Sequence, residues 1–439
     1  MGEYGEAGGF VDKRGSALAG TRDIAAGRSA TTKRNREESY MKLRNTLLPT
    51  AAAASVLILS QSAFAIDFNG YYRAGAGASS EGGDQVCFQL PGAGSKYRLG
   101  NECENYGELI FGKTLHEGPN GEYFRFSVLH ASITNGDTDF EEATWANREA
   151  YVEAGNLFGG AFSEASFWAG KRYYARHDVH MTDFYYLSNS GPGAGVQNID
   201  LGALKFSYAY RQNNEVDDRR FSAHDFRFSG IAANPGGELD VAVIFGSADS
   251  SDSSFDGESG YMLTLQHIQG GFLGGFNKLA LQYGTGPYGA ASNGTPGDFE
   301  ADSDVKFYRV VEQLQYQLSP NWSGMFTAVY EDRKDEQQWY SIGIRPIYHL
   351  NQYVDLVAEI GHDRVSPDEG SSRQLNKGTF AVQLSPDMSF FSRPNLRAFV
   401  TYADWDEAAR DAGLAGGAAG PYGNDTSGFT YGFQGEVWW

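Results

Sequence analysis

Long apolar segments are missing from most of this chain. After residue 65 no stretch approaches 18 uninterrupted apolar residues, so the sequence predicts no membrane-spanning helix there. Proline and methionine are also scarce, with 13 and 6 residues among 439, whereas there are 56 Gly, 26 Tyr and 29 Phe. This composition is unusual for a soluble enzyme and typical of a β-rich protein with many turns. It also suits a transmembrane β-barrel, in which only every second strand residue needs to be apolar.

Positive charge is in short supply as well. The chain has 35 Lys and Arg against 55 Asp and Glu. Because the first 65 residues carry a basic excess, the remainder is more acidic still. This balance argues against nucleic acid as a partner. Acidic polar segments are instead suitable for exposed loops and turns.

The first 65 residues differ from the rest of the chain. A short basic start at residues 41–44 is followed by an apolar run at 51–59, and Ala-Phe-Ala at 63–65 matches a signal-peptidase site. This pattern predicts a secretory signal peptide at residues 41–65. Residues 1–40 are polar, basic and patternless, and we interpret them as a non-native or disordered upstream extension, with translation starting at Met41. The folded part is then residues 66–439, in an exported protein.

Cysteine is limited to Cys87 and Cys103, and both follow the predicted signal peptide. An even pair in an exported chain predicts one disulfide bond. Closing a loop of this size contributes about 3 kcal/mol in the chain-entropy model. Metal binding is the weaker reading, because two cysteines do not complete a zinc site.

The last eleven residues show the clearest pattern in the sequence. With the two-residue period of a β-strand, they separate into two faces. The apolar and aromatic face consists of Phe429, Tyr431, Phe433, Gly435, Val437 and Trp439. The polar face consists of Thr430, Gly432, Gln434, Glu436 and Trp438. Such a strand fits a transmembrane β-barrel with lipid outside and water inside.

The same alternation recurs along the chain, in residues 204–211, 278–283 and 311–318. The predicted outward residues are Leu204, Phe206, Tyr208, Tyr210, Leu279, Leu281, Tyr283, Leu314, Tyr316 and Leu318. The predicted inward residues are Lys205, Ser207, Ala209, Arg211, Lys278, Ala280, Gln282, Gln313, Gln315 and Gln317.

Short turns alternate with long polar stretches, such as 247–260 and 284–303, which is typical of outer-membrane barrels. A soluble sandwich or propeller is the competing all-β reading. The absence of a repeat at blade length and the consistent one-sided placement of Phe and Tyr favour the membrane barrel.

Two early strands place an aromatic ring and a charge on the same predicted inner face. Tyr71 lies two residues before Arg73, and Tyr106 lies two residues before Glu108. A pyranose stacks its apolar C–H face on a ring while its hydroxyls bond charged groups, so this pairing favours a sugar. The alternative is that these rings belong to the aromatic girdles at the membrane interfaces. Tyr71, Tyr106 and Trp438 share a strand face with polar residues, and this favours a position in the lumen for these three rings.

Many short blocks of the sequence resemble the maltoporin family. They lie at residues 66–73, 87–89, 95–103, 168–172, 176–181, 183–186, 190–195, 234–237, 275–278, 343–346, 392–394 and 436–439. The part from 168 to 195 is long and specific, and the matches as a whole extend over residues 66–439. The resemblance implies a homotrimer of 18-stranded antiparallel transmembrane barrels with long extracellular loops and an inward-folded constriction loop. It further implies passive diffusion of maltose and maltodextrins across the outer membrane of Gram-negative bacteria, without a cofactor.

The family lines its channel with a row of aromatic rings, flanked by ionic residues. By position, the rings are similar to Tyr71, Tyr106, Phe391 and Trp438, with Phe140 as the aromatic that a neighbouring subunit contributes. The ionic track and the constriction resemble Arg73, Arg98, Glu108, Arg148, Arg176, Asp178, Asp183 and Tyr185. At Phe140 and Phe391 the family more often has Trp, which predicts weaker stacking. Phe299 is only a candidate for the remaining ring.

Two other classes of function compete with this interpretation. An outer-membrane barrel enzyme would need catalytic groups, and His177, Asp178 and His180 form a superficially suitable cluster. However, the spacing lacks the Glu of a HExxH zinc site, no serine motif accompanies it, and the adjacent Glu141 and Glu142 are typical of solvated loop charge. We therefore predict no enzymatic activity. A porin for another sugar, such as sucrose, or a general porin is the remaining alternative.

Overall fold

The computed structural model describes residues 66–136, 142–213, 219–252, 254–291 and 295–439. The predicted extension and signal peptide, at residues 1–65, lie outside the described residues, as do Phe140 and Glu141. No helix among the described residues has the length and apolar character needed to cross a membrane.

Eighteen antiparallel strands form one closed sheet. They are β1 (Asp67–Ser79), β2 (Asn105–Glu117), β3 (Tyr123–Thr134), β4 (Thr144–Gly155), β5 (Ser166–Arg172), β8 (Gly191–Asp200), β9 (Lys205–Asn213), β10 (Arg219–Asn234), β11 (Gly237–Ser250), β12 (Ser259–Phe272), β13 (Gly275–Thr285), β14 (Lys306–Ser319), β15 (Trp322–Arg333), β16 (Gln337–Asn351), β17 (Val354–Pro367), β18 (Arg373–Leu384), β19 (Asn395–Trp405) and β20 (Ser427–Trp438). β1 pairs with both β2 and β20, so the sheet has no free edge. The predicted 18-stranded barrel is confirmed.

Two more strands, β6 (His177–Val179) and β7 (Phe184–Leu187), pair with each other in a separate sheet. The short helical elements are α1 (Glu407–Asp411) and the 3₁₀ turns Gly160–Phe162, Gly286–Tyr288 and Leu414–Ala419.

The two-residue alternation of the sequence determines which side chains face the lumen. In β20 the side chains of Phe429, Tyr431 and Phe433 are 48%, 53% and 72% exposed on the outer wall. Thr430 and Glu436, which have the opposite parity, are buried on the inner wall. Among the other segments with this pattern, Ala209, Gln282 and Gln313 are likewise buried inside, whereas Leu281 and Leu318 are exposed outside. The predicted faces are therefore confirmed at these positions.

Connections of two lengths alternate around the barrel. The strands are joined at one end by short turns, most of them of two to five residues, such as 235–236 and 320–321. The other end carries the longer segments, including 80–104, 173–190, 286–305 and 406–426. Because β1 begins and β20 finishes at the short-turn end, Trp438 and the start of β1 lie at that end of the barrel.

One long segment folds into the barrel, as predicted for the constriction loop. Residues 173–190, which contain β6 and β7, pack their apolar side chains against the inner wall. The rings of Phe184 and Trp339 have centres 5.1 Å apart. The hydroxyl of Tyr186 donates to Gln266 of β12, and Arg345 of β16 donates to the carbonyl of Met181 at 3.3 Å. We call residues 173–190 the first inner segment.

Residues 85–104 form a second inward-folded part that was not predicted, and we call them the second inner segment. The disulfide between Cys87 and Cys103 closes it, as predicted from the cysteine pair. Its backbone N–H at Leu99 donates to Glu359 of β17 at 3.0 Å, and Ser95 donates to Asp363 of β17 at 2.6 Å. It also joins the first inner segment, because the N–H of Arg98 donates to the carbonyl of Met181 at 2.9 Å.

Aromatic rings on the outer wall are concentrated near the ends of the strands. Towards the long-loop end, the rings of Tyr261, Tyr283 and Tyr308 follow one another, with centres 5.8 and 5.0 Å apart. Near the short-turn end, Trp322 and Tyr348 lie 4.9 Å apart. These positions are those of the interfacial girdles of a transmembrane barrel.

Candidate functional site

Three aromatic rings project inward from three adjacent strands. Tyr106 is on β2, Tyr71 is on β1 and Trp438 is on β20. In the strand register Tyr71 lies opposite Trp438 on one side and Glu108 on the other. The ring centres of Tyr71 and Tyr106 are 6.1 Å apart, with the rings tilted by 50°. The alternation of β1, β2 and β20 thus brings together three of the five predicted rings.

Each tyrosine hydroxyl in this row is held by a carboxylate. Tyr106 donates a hydrogen bond to Glu108 two residues along the same strand. Tyr71 donates to Glu436 across the β1–β20 pair at 3.0 Å. Since the hydroxyls are fixed at the ring edges, the ring faces keep a defined orientation along the wall.

Phe391 belongs to the turn 385–394 between β18 and β19, at the same end of the barrel as Trp438. Its side chain is 36% exposed, and its ring packs edge-on against Phe390 with centres 4.9 Å apart. His180, from the first inner segment, lies between the two predicted rings, 5.5 Å from Phe391 and 5.8 Å from Trp438. The guanidinium carbon of Arg393 is 4.1 Å from the ring centre of Trp438.

Glu436 is the central anion of this region. Its carboxylate accepts from Arg98 at 3.2 Å, from Arg393 at 2.8 Å and from Arg397 at 2.7 Å, in addition to the hydroxyl of Tyr71. These four partners come from three parts of the chain: β1, the second inner segment, and the turn that leads into β19 together with the start of that strand. Glu436 therefore fixes one ring directly, and it fixes the cation that covers Trp438.

The predicted ionic residues Arg73 and Arg98 share the carboxylate of Glu102. Arg73 approaches Glu102 at 3.0 Å and also pairs with Glu104, and Arg98 approaches Glu102 at 2.7 Å. The guanidinium of Arg73 lies over the ring of Tyr106, with its carbon 5.1 Å from the ring centre. The second inner segment thereby supplies the anions that hold these cations beside the rings.

Two more predicted ionic residues of the first inner segment, Arg176 and Asp178, lie directly before β6 and within it. Asp178 is the register partner of Tyr185. The guanidinium carbon of Arg176 lies 4.2 Å from the ring centre of Tyr185 and 3.8 Å from that of Tyr173. All of these side chains are partly exposed to the lumen.

Asp183 connects the two inner segments. Its carboxylate lies 3.1 Å from the ammonium group of Lys96. Burial alone would raise the pKa of Asp183, but the positive charges of Arg98 and Lys96 hold this pKa below its usual range. Asp183 therefore stays ionised in the folded protein over a wide range of pH.

Arg148 lies on β4 at an irregularity of the sheet. The register between β3 and β4 shifts between Leu129 and His130, which leaves Arg148 as the extra residue between Asn147 and Glu149. A β-bulge redirects side chains and is common next to functional sites.

Phe140 lies outside the described residues. Phe299 is nearly fully buried, with its ring 5.3 Å from that of Phe221, and lies away from the row formed by Tyr106, Tyr71 and Trp438.

Four residues of this region were not among the predicted site residues: Glu436, Glu102, Lys96 and Arg393. Glu436 could have been found from its parity, since it lies two residues before Trp438 on the same face. Arg393 gives no signal in the sequence, because it reaches Trp438 from a turn.

A closed eighteen-stranded antiparallel barrel, with an inward-folded segment and a charged lumen, has the architecture of an outer-membrane porin. A family model described as LamB porin matches residues 66–439, and the chain belongs to this family. This membership agrees with the maltoporin resemblance of the sequence.

Several solved porins are similar to this chain at low sequence identity. OpdK of Pseudomonas aeruginosa, crystallised with vanillate, is 11% identical with a TM-score of 0.47, and the match covers 85% of this chain and 99% of that chain. OccK10 (OpdN) of the same species is 10% identical with a TM-score of 0.49, and a BenF-like porin from Pseudomonas fluorescens Pf-5 is 10% identical with a TM-score of 0.48. Both of these matches cover 85% of this chain and 99% of the other. At such low similarity these structures support no conclusion about ligand or assembly.

Replacing Glu436 by Gln is expected to destabilise the barrel. The change removes the buried anion that three guanidinium groups share, and breaking a buried ion pair on one side costs about 3–5 kcal/mol. Glu104→Gln is the matched control, because the side chain of Glu104 is 35% exposed and its pairing contributes only about 1 kcal/mol or less. Denaturant midpoints of the folded barrel in detergent measure both effects. Equal midpoints for the two variants would contradict the central role of Glu436.

Acid should loosen the contact between the two inner segments. Because the folded pKa of Asp183 is below its ordinary value of 3.8, its stabilising contribution is complete above that value and disappears as the pH falls through the folded pKa. Wild-type single-channel current should therefore become noisier only below about pH 4. Asp183→Asn should be noisy already at neutral pH, with little further change in acid. If the current noise of the wild-type protein and that of Asp183→Asn had the same pH dependence, this role of Asp183 would be ruled out.

Proposed function

We propose that this protein is a trimeric, sugar-selective porin through which maltose and maltodextrins diffuse passively across the outer membrane. No enzymatic step and no cofactor form part of this proposal. The observation that carries it is the row of Tyr106, Tyr71 and Trp438 on three adjacent strands, with charged groups at the ring edges.

The row suits a sugar for a physical reason. A pyranose has an apolar face, which gains about 0.5–1.5 kcal/mol by stacking on an aromatic ring. Its hydroxyls need hydrogen-bond partners at the same time, and Glu108, Arg73 and Glu436 supply acceptors and donors beside the rings. A purely apolar channel would strip the hydroxyls of their hydrogen bonds, at a cost that stacking could not offset.

Passive transport requires that no step of the path binds strongly. Successive rings of similar character bind the sugar with nearly the same free energy. As the sugar moves, each charged group releases one sugar hydroxyl and forms a hydrogen bond with the next. Millimolar binding corresponds to about −4 kcal/mol in total, which several weak stacking contacts supply together. Net flux then follows the concentration gradient.

Constriction by the first inner segment would provide selectivity. Tyr185, Arg176 and Asp178 project from the β6–β7 pair, whose other face is anchored to the inner wall by Phe184 and Tyr186. A rigidly anchored group of one ring, one cation and one anion restricts the pore with the same chemistry as the ring row. We assign Arg148 and Asp183 to the same ionic lining.

The outer wall supports a trimer. Rings follow one another closely from β12 to β14, whereas β1 carries, beyond the outward rings of Phe68 and Tyr72, the small outward residues Ala74, Ala76 and Ala78. On β3 and β4, His130 and Asn147 are exposed outward as register partners. Polar and small residues suit a protein neighbour better than lipid chains, so we place the subunit interface on this side. Phe140 would then reach the channel of the neighbouring subunit.

Sugar block of ion current tests the proposal. Purified protein in a planar bilayer should show a current that maltodextrins reduce, with tighter block as the oligosaccharide lengthens and occupies more rings. Block by sucrose alone would favour a porin for another sugar. An open current that no sugar reduces would overturn the ring row as a sugar path and leave a general porin.

Trp438→Ala should weaken maltodextrin block roughly fivefold, corresponding to about 1 kcal/mol of lost stacking. Trp439→Ala is the control, since the ring of Trp439 lies on the outer wall, 5.3 Å from Phe68, and should leave the block constant unchanged. The measurement is the block constant of a single maltodextrin for both variants. Equal weakening would refute the assignment of Trp438 to the lumen.

A further inference from the structure

A second group of charged and aromatic side chains lies at the inner wall, on β4, β5, β9, β10 and the start of the first inner segment. Its floor consists of small residues that point inward, namely Gly170, Gly193, Gly195, Ala209 and Ala223. The side chains above this floor are Tyr151, Glu153, Trp168, Arg172, Tyr174, Arg211, Asp225 and Arg227. We call these eight residues the wall cluster.

Glycines on β8 create the space that Trp168 and Arg211 occupy. Trp168 of β5 is the register partner of Gly195, and Arg211 of β9 is the register partner of Gly193. A Cβ atom on Gly195 would lie 2.9 Å from the indole nitrogen of Trp168, and one on Gly193 would lie 3.1 Å from Cδ of Arg211. The two side chains therefore extend over β8 towards each other, and the guanidinium carbon of Arg211 is 5.4 Å from the ring centre of Trp168.

The wall cluster contains more cations than available anions. The carboxylate of Asp225 accepts two hydrogen bonds from Arg227 and one from Asn189. The carboxylate of Glu153 accepts from Tyr123 and Arg172. Arg211 is fully buried, yet its one hydrogen bond to a described residue goes to the carbonyl of Arg172 at 3.1 Å. Arg211 thus forms no ion pair with a described residue, and the carboxylate of Asp225, the anion that acts on it most, is hydrogen-bonded to Arg227.

Hydrogen-bond donors without an acceptor are concentrated here. Among the described residues, fifteen buried side-chain nitrogen and oxygen atoms have no hydrogen-bond partner, and five of them belong to the wall cluster. They are Nε and one terminal nitrogen of Arg211, Nε of Arg172, Nε1 of Trp168 and the hydroxyl of Tyr174. All four nitrogens are donors only, and the tyrosine hydroxyl is able to donate.

We propose that the wall cluster binds a small monovalent anion of the size of chloride. A buried, unpaired guanidinium is costly, and an anion offsets this cost while accepting hydrogen bonds from several donors at once. A water molecule accepts two hydrogen bonds but brings no negative charge to Arg211. The site is separate from the ring row and does not depend on the sugar that the channel carries.

The anion would strengthen both ends of the first inner segment. Arg211 donates to the carbonyl of Arg172, just before this segment, and Arg227 donates to the carbonyl of Ala175 at 2.7 Å, near its start. Asn189, near its other end, donates to Asp225 at 3.1 Å. Bound anion lowers the repulsion between Arg172, Arg211 and Arg227 and thereby holds the base of the constriction in place.

Bromide is the direct probe, because its anomalous scattering identifies it in crystals of the purified protein. An anomalous peak within hydrogen-bond distance of the unpaired nitrogens of Arg211 is expected in crystals grown with sodium bromide. Density for water without an anomalous peak would overturn the proposal. A peak that persists unchanged in Arg211→Met crystals would overturn it as well.

Solution stability gives an independent test. The thermal unfolding midpoint of wild-type protein should rise as chloride replaces gluconate, an anion too large for the wall cluster, at constant ionic strength. Trp168→Phe, which removes one donor and keeps the stacking, should shift this rise to higher chloride concentration. The control is Arg220→Met, at an exposed pair with Asp249, and it should keep the wild-type response. A wild-type midpoint that does not respond to chloride would contradict the proposal.

Discussion

The closed hydrogen-bonded ladder is the constraint on which the rest of this structure depends. In lipid every backbone N–H and C=O must be paired within the protein, and eighteen strands that join β20 back to β1 achieve this without a free edge. Closure fixes which residues face lipid, because the strand period is two. Apolar residues occupy the outer positions, and the polar half of each strand necessarily lines the lumen. A barrel of this kind therefore contains many ionised side chains, and these must find partners inside.

The two inner segments solve that problem and at the same time define the channel. Their apolar side chains pack on the wall, as Phe184 does against Trp339, and their backbone groups bond wall carboxylates such as Glu359. Many of the wall residues that they contact directly lie on β12 to β20, and others lie on β1, β4 and β10. Near the rings of Tyr71 and Tyr106, on β1 and β2, the second inner segment places Arg98 against Tyr71, and its carboxylates hold Arg73 of β1 over Tyr106. The ring row on β2, β1 and β20 is thus bordered by charged groups that this segment holds in place.

Local pattern was sufficient to predict the barrel, the faces of its strands and the disulfide, because each depends on residues close together in sequence. The three rings on β1, β2 and β20 followed from parity alone. Contacts between distant segments were not predictable in this way. Glu436 pairs with Arg98 from the second inner segment and with Arg393 and Arg397 from around the start of β19, and no single segment shows that convergence. The second inner segment was missed for the same reason, since Ser95 and Leu99 find their partners on β17, far away in sequence. The bulge at Arg148 depends on the pairing of two strands rather than on either one.

The inner wall has two groups of arginines, one around Glu436 and one in the wall cluster, and the positive charges of the two groups are paired differently. Around Glu436 the guanidinium groups outnumber the single carboxylate, but Arg98 is also paired with Glu102, so the group is held together by shared anions. That arrangement is rigid, and it places cations beside rings without leaving a strong anion site in the sugar path. In the wall cluster both carboxylates are hydrogen-bonded to Arg172 and Arg227, and Arg211 forms no ion pair with a described residue. A mobile anion can complete such a group, whereas a neutral sugar cannot. Sugar and anion would therefore occupy different parts of the lumen, since each guanidinium around Glu436 has a carboxylate partner, whereas Arg211 has none within ion-pair distance among the described residues.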